Sequence, residues 1–267
     1  MSERAIGIFD SGVGGLTVLK ELGRQLPGES LVYLGDTARV PYGTKSPATV
    51  LRYALEAAAF LVRQQVKMLV VACNTASSVA LEELEQRFSL PVVGVIEPGA
   101  DRAVALTRSR SRRVGVIGTE GTVKSGAYSR AIQARDPHIA VTSVACPLFV
   151  PLAEEGWAGH PVAREIAAEY LASMIDHRVD TLVLGCTHYP LLKPVLHQVL
   201  GSGVELVDSA EETARLVATL LDSLHLRRQG PPLPSRYFVT DVPTRFERVG
   251  GEFLGAPLAG VEQVMID

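Results

Sequence analysis

No two cysteines stand close together in this 267-residue chain: Cys73, Cys146 and Cys186 are odd in number and far apart. No Cys-x-x-Cys pair occurs, which excludes a disulfide framework and a zinc ribbon. Aromatic residues are scarce at 6%, and Lys and Arg do not outnumber the acids, giving a formal net charge of −3. Without stacking platforms or a basic surface, no nucleic-acid partner is expected. No apolar run approaches the roughly 18 residues that a membrane span needs. Met1–Gly12 also lacks the apolar core and cleavage site of a secretory signal. The expected location is the cytoplasm, with no membrane partner. The remainder is ordinary globular composition, 47% hydrophobic and 21% charged. A chain of this length buries enough surface to fold without staples.

Short apolar, β-branched runs alternate with helical patterns along the whole chain. Ala5–Phe9, Leu31–Leu34, Met68–Ala72 and Val92–Val95 read as strands, apolar on both faces as a buried parallel sheet requires. Leu16–Leu26, Pro47–Gln65 and Ser77–Phe88 read as helices, with Ser46 capping the second and Pro47 at its first position. The pattern then restarts. Strands are expected at Arg113–Ile117, Ala140–Val144, Thr181–Leu184 and Glu205–Val207, and helices at Val123–Ala134, Val162–His177 and Ser209–Leu226. The letters repeat as well. IGIFDSGVGG at Ile6 aligns with VGVIGTEGTV at Val114, LVVACNT at Leu69 with LVLGCTH at Leu182, and Val95–Glu97 with Leu206–Asp208. Three matches in one order at nearly one offset indicate a duplication. The fold class expected is α/β, with two similar doubly wound, mainly parallel-sheet lobes related by a pseudo-two-fold. The first lobe is read as 1–97 plus 208–267 and the second as 98–207. After the Gly230–Pro234 break, Ser235–Thr240 reads as a strand returning to the first lobe.

Ligands of open α/β sheets bind at the carboxyl ends of the strands. Four polar clusters fall there. Asp10-Ser11-Gly12-Val13-Gly14-Gly15 is a glycine-rich βα turn whose amides suit an anion, yet it has no phosphate-loop lysine. Thr119-Glu120-Gly121-Thr122 is its counterpart, offering hydroxyls to a carboxylate and a helix cap at Thr122. Cys73-Asn74-Thr75 and Cys186-Thr187-His188 each put a thiol after a strand and at a helix start. A lone cysteine there is more often core than catalyst. Recurrence at the same place in both lobes reverses those odds. A helix N-terminus is expected to lower the thiol pKa toward neutrality. Two thiols facing one another across a cleft suit removal of a proton from one face of a ligand and delivery to the other, which is racemisation or epimerisation.

Other features carry less. Pro41-Tyr42-Gly43 reads equally as a plain turn or as amides for an anion. Glu154 follows an apolar stretch that desolvates it. Cys146 is unmatched in the other lobe and is assigned to the core, Trp157 to packing, and His138, His160, His177, His197 and His225 to the surface. A Cys/His protease is the rival reading, but Cys186 and His188 are too close in sequence for a nucleophile and its base from separate elements. One Cys-x-His without further ligands is poor metal spacing, so no metal is expected.

Several segments resemble the glutamate racemases of the aspartate/glutamate racemase family: DSGVGGL at Asp10, LGDTARVPYGTKS at Leu34, ACNTAS at Ala72, VIGTEGTVKSGAY at Val116, CPLFVPLAEEG at Cys146, LGCTHYPLL at Leu184, and TDVPTRFERVGGEFLG at the C-terminal end. The resemblance spans nearly the whole chain in order. It implies cofactor-independent interconversion of L- and D-glutamate, supplying D-glutamate for peptidoglycan, by a homodimer. It implies Cys73 and Cys186 as the two bases, with Asp10, Glu154 and His188 assisting them. It implies substrate contacts from Asp10, Ser11, Pro41, Tyr42, Gly43, Asn74, Thr75, Thr119, Thr122, Thr187 and His188. The nearest alternative is racemisation of aspartate or another acidic amino acid. A non-catalytic two-lobe binder of an acidic metabolite is the alternative of a different class.

Overall fold

A computed structural model describes residues 1–266. Its strands are β1 (Ile6–Asp10), β2 (Leu31–Gly35), β3 (Met68–Val71), β4 (Val92–Gly94), β5 (Arg113–Gly118), β6 (Ala140–Ala145), β7 (Thr181–Gly185), β8 (Glu205–Asp208), β9 (Arg236–Val239) and β10 (Val261–Gln263). Its helices are α1 (Leu16–Gln25), α2 (Pro47–Arg63), α3 (Asn74–Arg87), α4 (Ile96–Thr107), α5 (Glu120–Ser125), α6 (Ala127–Arg135), α7 (Phe149–Glu154), α8 (Pro161–Asp176), α9 (Lys193–Leu200), α10 (Ser209–Ser223) and α11 (Pro243–Leu254).

Two sheets form, one ordered β10-β9-β2-β1-β3-β4 and one ordered β6-β5-β7-β8. Every pairing in both is parallel. The first four strands and the second four share one winding, second-first-third-fourth, so the duplication read from the letters is a duplication of topology. Cys73 follows the third strand of the first lobe and Cys186 the third of the second, and both sheets therefore deliver a thiol to the same relative place. The strand read at Ser235–Thr240 is β9, paired with β2.

The central strands β1, β2, β3 and β7 are buried along their whole length, which is why their sequences are apolar without alternation. Helix α2 begins as its sequence dictates: Ser46 Oγ accepts from Thr49 N at 3.3 Å and Pro47 takes the first position. A buried ion pair, Lys67 with Glu29, also ties Lys67 Nζ to the carbonyls of Ser2 and Leu226, pinning both ends of the first lobe's chain together.

Some elements differ from the sequence reading. The helix expected at Val123–Ala134 is two helices, α5 and α6, broken at Gly126, whose φ of 66° leaves the helical path. Helix α3 starts three residues earlier than read. Pro98–Gly99, taken as a boundary, lies in the first turn of α4, which packs on β7 and β8 of the second sheet. Helix α7, α9 and α11 also went unread. Trp157 does not pack in the core: it is 49% exposed and stacks on the His160 ring. Cys146 is fully buried as expected, and the five other histidines are exposed.

Candidate active site

The carboxyl ends of both sheets meet around a small cavity of about 40 Å³. Of the residues singled out from sequence, Ser11, Pro41, Tyr42, Gly43, Cys73, Asn74, Thr75, Thr119, Cys186, Thr187 and His188 line it. Asp10, Thr122 and Glu154 stand behind that lining. Val40 and Val150 complete the wall and were not anticipated.

The first lobe contributes Cys73 as the N-cap of α3, its Sγ accepting from Ala76 N–H at 3.5 Å. The thiol was expected to sit below its ordinary pKa. The structure corrects this for Cys73: burial pushes it up to about 12, with the Asp10 carboxylate adding to the effect and the Ala76 amide opposing it. Desolvation outweighs the helix terminus here. Asp10 closes β1 with its side chain fully buried; Oδ2 accepts from Gly12 N–H at 2.9 Å, and Oδ1 has no partner. Burial raises its carboxyl above the usual range, although the nearby His188 pulls the other way.

The second lobe answers with a relay. Cys186 Sγ lies 3.8 Å from His188 Nδ1, and His188 Nε2 lies 3.0 Å from Glu154 Oε1 at the end of α7. Burial disfavours a charged ring, but the contacts with Cys186 and Glu154 outweigh it and lift His188 to about 10. At neutral pH the ring is therefore a cation, with a carboxylate on one nitrogen and a sulfur at the other. Glu154 is desolvated as expected. Even so its carboxyl is held below the ordinary range, because His188 and then Arg245 more than offset burial.

Three hydroxyls join the lobes. Thr75 Oγ1 is 2.9 Å from Thr119 Oγ1 and 3.2 Å from Thr122 Oγ1. The N-cap of α5 is Thr119, whose Oγ1 accepts from Thr122 N–H at 3.2 Å, so the cap expected at Thr122 sits three residues earlier. Gly14 lets the lobes meet on the other side: a Cβ there would lie 2.2 Å from Thr187 Oγ1 and 2.5 Å from the His188 ring.

Supporting residues went unread in the sequence. Asp36 is fully buried and takes hydrogen bonds from Tyr42 Oη, from Arg39 Nε at 2.7 Å and from Thr240 Oγ1 at 2.9 Å. Tyr42 thus spends its hydroxyl on Asp36, leaving the backbone of the Pro41–Gly43 segment for a ligand. Tyr128 Oη donates to Asn74 Oδ1 at 2.7 Å and meets Ser209 Oγ at 2.8 Å, fixing the Asn74 amide. Asp36 stood inside a quoted motif. Its role was hidden because its partners are up to 204 residues away.

A sequence profile described as Asp/Glu/Hydantoin racemase matches residues 6–217. A curated glutamate racemase of Geobacter metallireducens is 60% identical over all of this chain and 98% of its own. A glutamate racemase crystal structure from Bacillus anthracis superposes with a TM-score of 0.94 at 39% identity, covering 99% of this chain and 98% of that one. Another, from Francisella tularensis in complex with D-glutamate, gives 0.93 at 38% identity over 99% and 98%. Profile, relatives and fold agree, and this chain belongs to the Asp/Glu/hydantoin racemase family.

Proposed function

We propose that the chain racemises glutamate by a two-base proton transfer at the α-carbon. The observation that carries this reading is the pair of thiols after equivalent strands of two like-wound lobes, lining one cavity. One cysteine, as its thiolate, removes the α-proton and becomes a thiol, and the opposite thiol protonates the other face of the resulting carbanion and becomes a thiolate. Cys73, protonated at neutral pH, is poised to give a proton. A bound substrate ammonium beside it favours its thiolate for the reverse direction. His188, cationic and held by Glu154, is the proton-bearing partner of Cys186, and Asp10 serves on the Cys73 side. Ser11, Asn74, Thr75, Thr119, Thr122 and Thr187, with the Pro41–Gly43 backbone, hold the carboxylates and ammonium.

No cofactor enters this scheme, because each proton goes to and comes from a side chain. The product supplies peptidoglycan synthesis in the cytoplasm. Among the described residues no helix is long and apolar enough to cross a membrane. The working unit is a homodimer. Chiral chromatography after separate incubation with L-glutamate and L-aspartate tests the reading. Conversion of L-glutamate to an equal mixture, with aspartate untouched, is expected. Turnover of aspartate alone refutes the substrate, and turnover of neither points to the binding protein.

A further inference from the structure

Glu154 has two cationic partners, and they come from different lobes. Its Oε1 meets His188 at 3.0 Å, and its Oε2 accepts from Arg245 Nη2 at 3.2 Å. Arg245 stands on α11, which packs on α1 and β10 of the first sheet's side. The same helix places Phe253 edge-on to the His188 ring, with centroids 5.3 Å apart. Helix α11 therefore touches both members of the second lobe's Glu–His pair from across the lobe boundary. A hollow of about 300 Å³, lined by Gly12, Val40, Glu154, Val242 and Arg245 among others, opens beside the thiol cavity, and Val40 borders both.

We propose that Arg245 is a positioning residue that fastens the Glu154–His188–Cys186 relay from the opposite lobe, so that the relay holds its working geometry only while α11 is seated. The proposal rests on the reading of Glu154 and His188 as the assistants of Cys186. Arg245 does not line the thiol cavity, so it acts through Glu154 alone.

The charges around the pair set the sign. Glu154 faces His188 from the end of α7, Arg245 faces Glu154 from α11, and the neighbouring Glu155 Oε1 is 3.9 Å from Arg245. Asp241 lines the same hollow, and the buried Asp10 also interacts electrostatically with His188. Removing Arg245 takes away one of the two cations that hold the Glu154 carboxyl low. That carboxyl then protonates at higher pH, the His188 cation loses its partner, and the acid limb of kcat/KM moves upward. The Arg245 side chain is 58% exposed, so screening keeps the effect modest. Exposed pairs of this kind correspond to about a two- to fivefold change in that protonation equilibrium, so the loss of kcat/KM appears as pH falls toward the Glu154 midpoint.

The test compares wild type, Arg245→Gln, Arg245→Lys and Glu155→Gln. It records kcat/KM from pH 3.5 to 9 and follows the Glu154 carboxyl over the same range by ¹³C NMR, its signal identified by loss in Glu154→Gln. Arg245→Gln should raise both the acid limb and the Glu154 midpoint, Arg245→Lys should restore most of each, and Glu155→Gln should match wild type. A uniform loss across pH with an unmoved Glu154 midpoint would mark a structural role and overturn the proposal. So would a wild-type profile in Arg245→Gln. If wild type does not racemise glutamate, the functional reading fails, while the Glu154 midpoint still decides whether Arg245 governs that carboxylate.

Discussion

Gly14→Ala tests how tightly the two lobes are fitted at the site. The added Cβ would lie 2.2 Å from Thr187 Oγ1 and 2.5 Å from the His188 ring, where ordinary contact begins near 3.4 Å. Thr187 must then retreat by about 1.2 Å and the ring by about 0.9 Å. Neither can swing away freely. The Thr187 carbonyl accepts from Thr17 Oγ1 at 3.0 Å, and His188 is held by Glu154 and by Cys186. The displacement therefore passes into the lobe contact and carries the Cys186 side of the site with it. Overpacking of this size costs roughly 1–3 kcal/mol of stability, or about 2–10 °C in Tm for a chain this long. Activity should suffer more, because a ~1 Å misplacement of reacting groups can cost about 10²-fold. The assay is kcat/KM on L-glutamate beside a thermal melt. Gly28→Ala, where nothing lies within 4 Å of the new methyl, is the control. A folded Gly14→Ala enzyme within threefold of wild-type kcat/KM would refute this reasoning.

Cys73→Ala and Cys186→Ala should each abolish racemisation with the fold intact by circular dichroism. Cys146→Ala, fully buried and away from the cavity, should keep most activity and lose about 1 kcal/mol in denaturant unfolding. An inactive but folded Cys146→Ala would overturn that assignment. His188 should also make stability depend on pH. Its folded pKa of about 10 lies above the unfolded value near 6.5. Its contribution is therefore fully present below about pH 6.5 and lost as pH rises through 10. The stability gap between wild type and His188→Gln should shrink over that window, by at most about 5 kcal/mol. A gap that widens would contradict the charge assigned to the ring.

The fold was legible where burial is two-sided. Apolar runs marked the central strands of both repeats, edge strands such as β6, with Thr142 and Ser143, were read from their place in the repeat, and β9 was placed on the correct sheet. Three of the helices that escaped, α4, α7 and α9, carry Pro98, Pro151 and Pro194 past their first position, whereas Pro47 and Pro161 stand at the first position of α2 and α8, which were read. A proline there forfeits no helical hydrogen bond, yet along a sequence it reads as a break. At the site, the residues at strand ends were visible because topology alone brings them together. Asp36, Tyr128 and Arg245 were not, because each acts through a partner distant in sequence, Asp36 on Thr240, Tyr128 on Asn74 and Arg245 on Glu154. The thiol pKa was misjudged for a related reason. A helix N-terminus can be read locally, whereas burial by a second lobe cannot.

The central claim is that two opposed thiols share the proton transfer. The most direct measurement follows L-glutamate into D-glutamate in heavy water at early times, with mass spectrometry of each separated enantiomer. The account predicts deuterium at the α-carbon of nearly all newly formed D-glutamate, while unreacted L-glutamate keeps its protium, because the delivering thiol exchanges with solvent and is not the one that took the proton. D-glutamate that retains the original α-proton would mean a single shuttling base and would contradict the account.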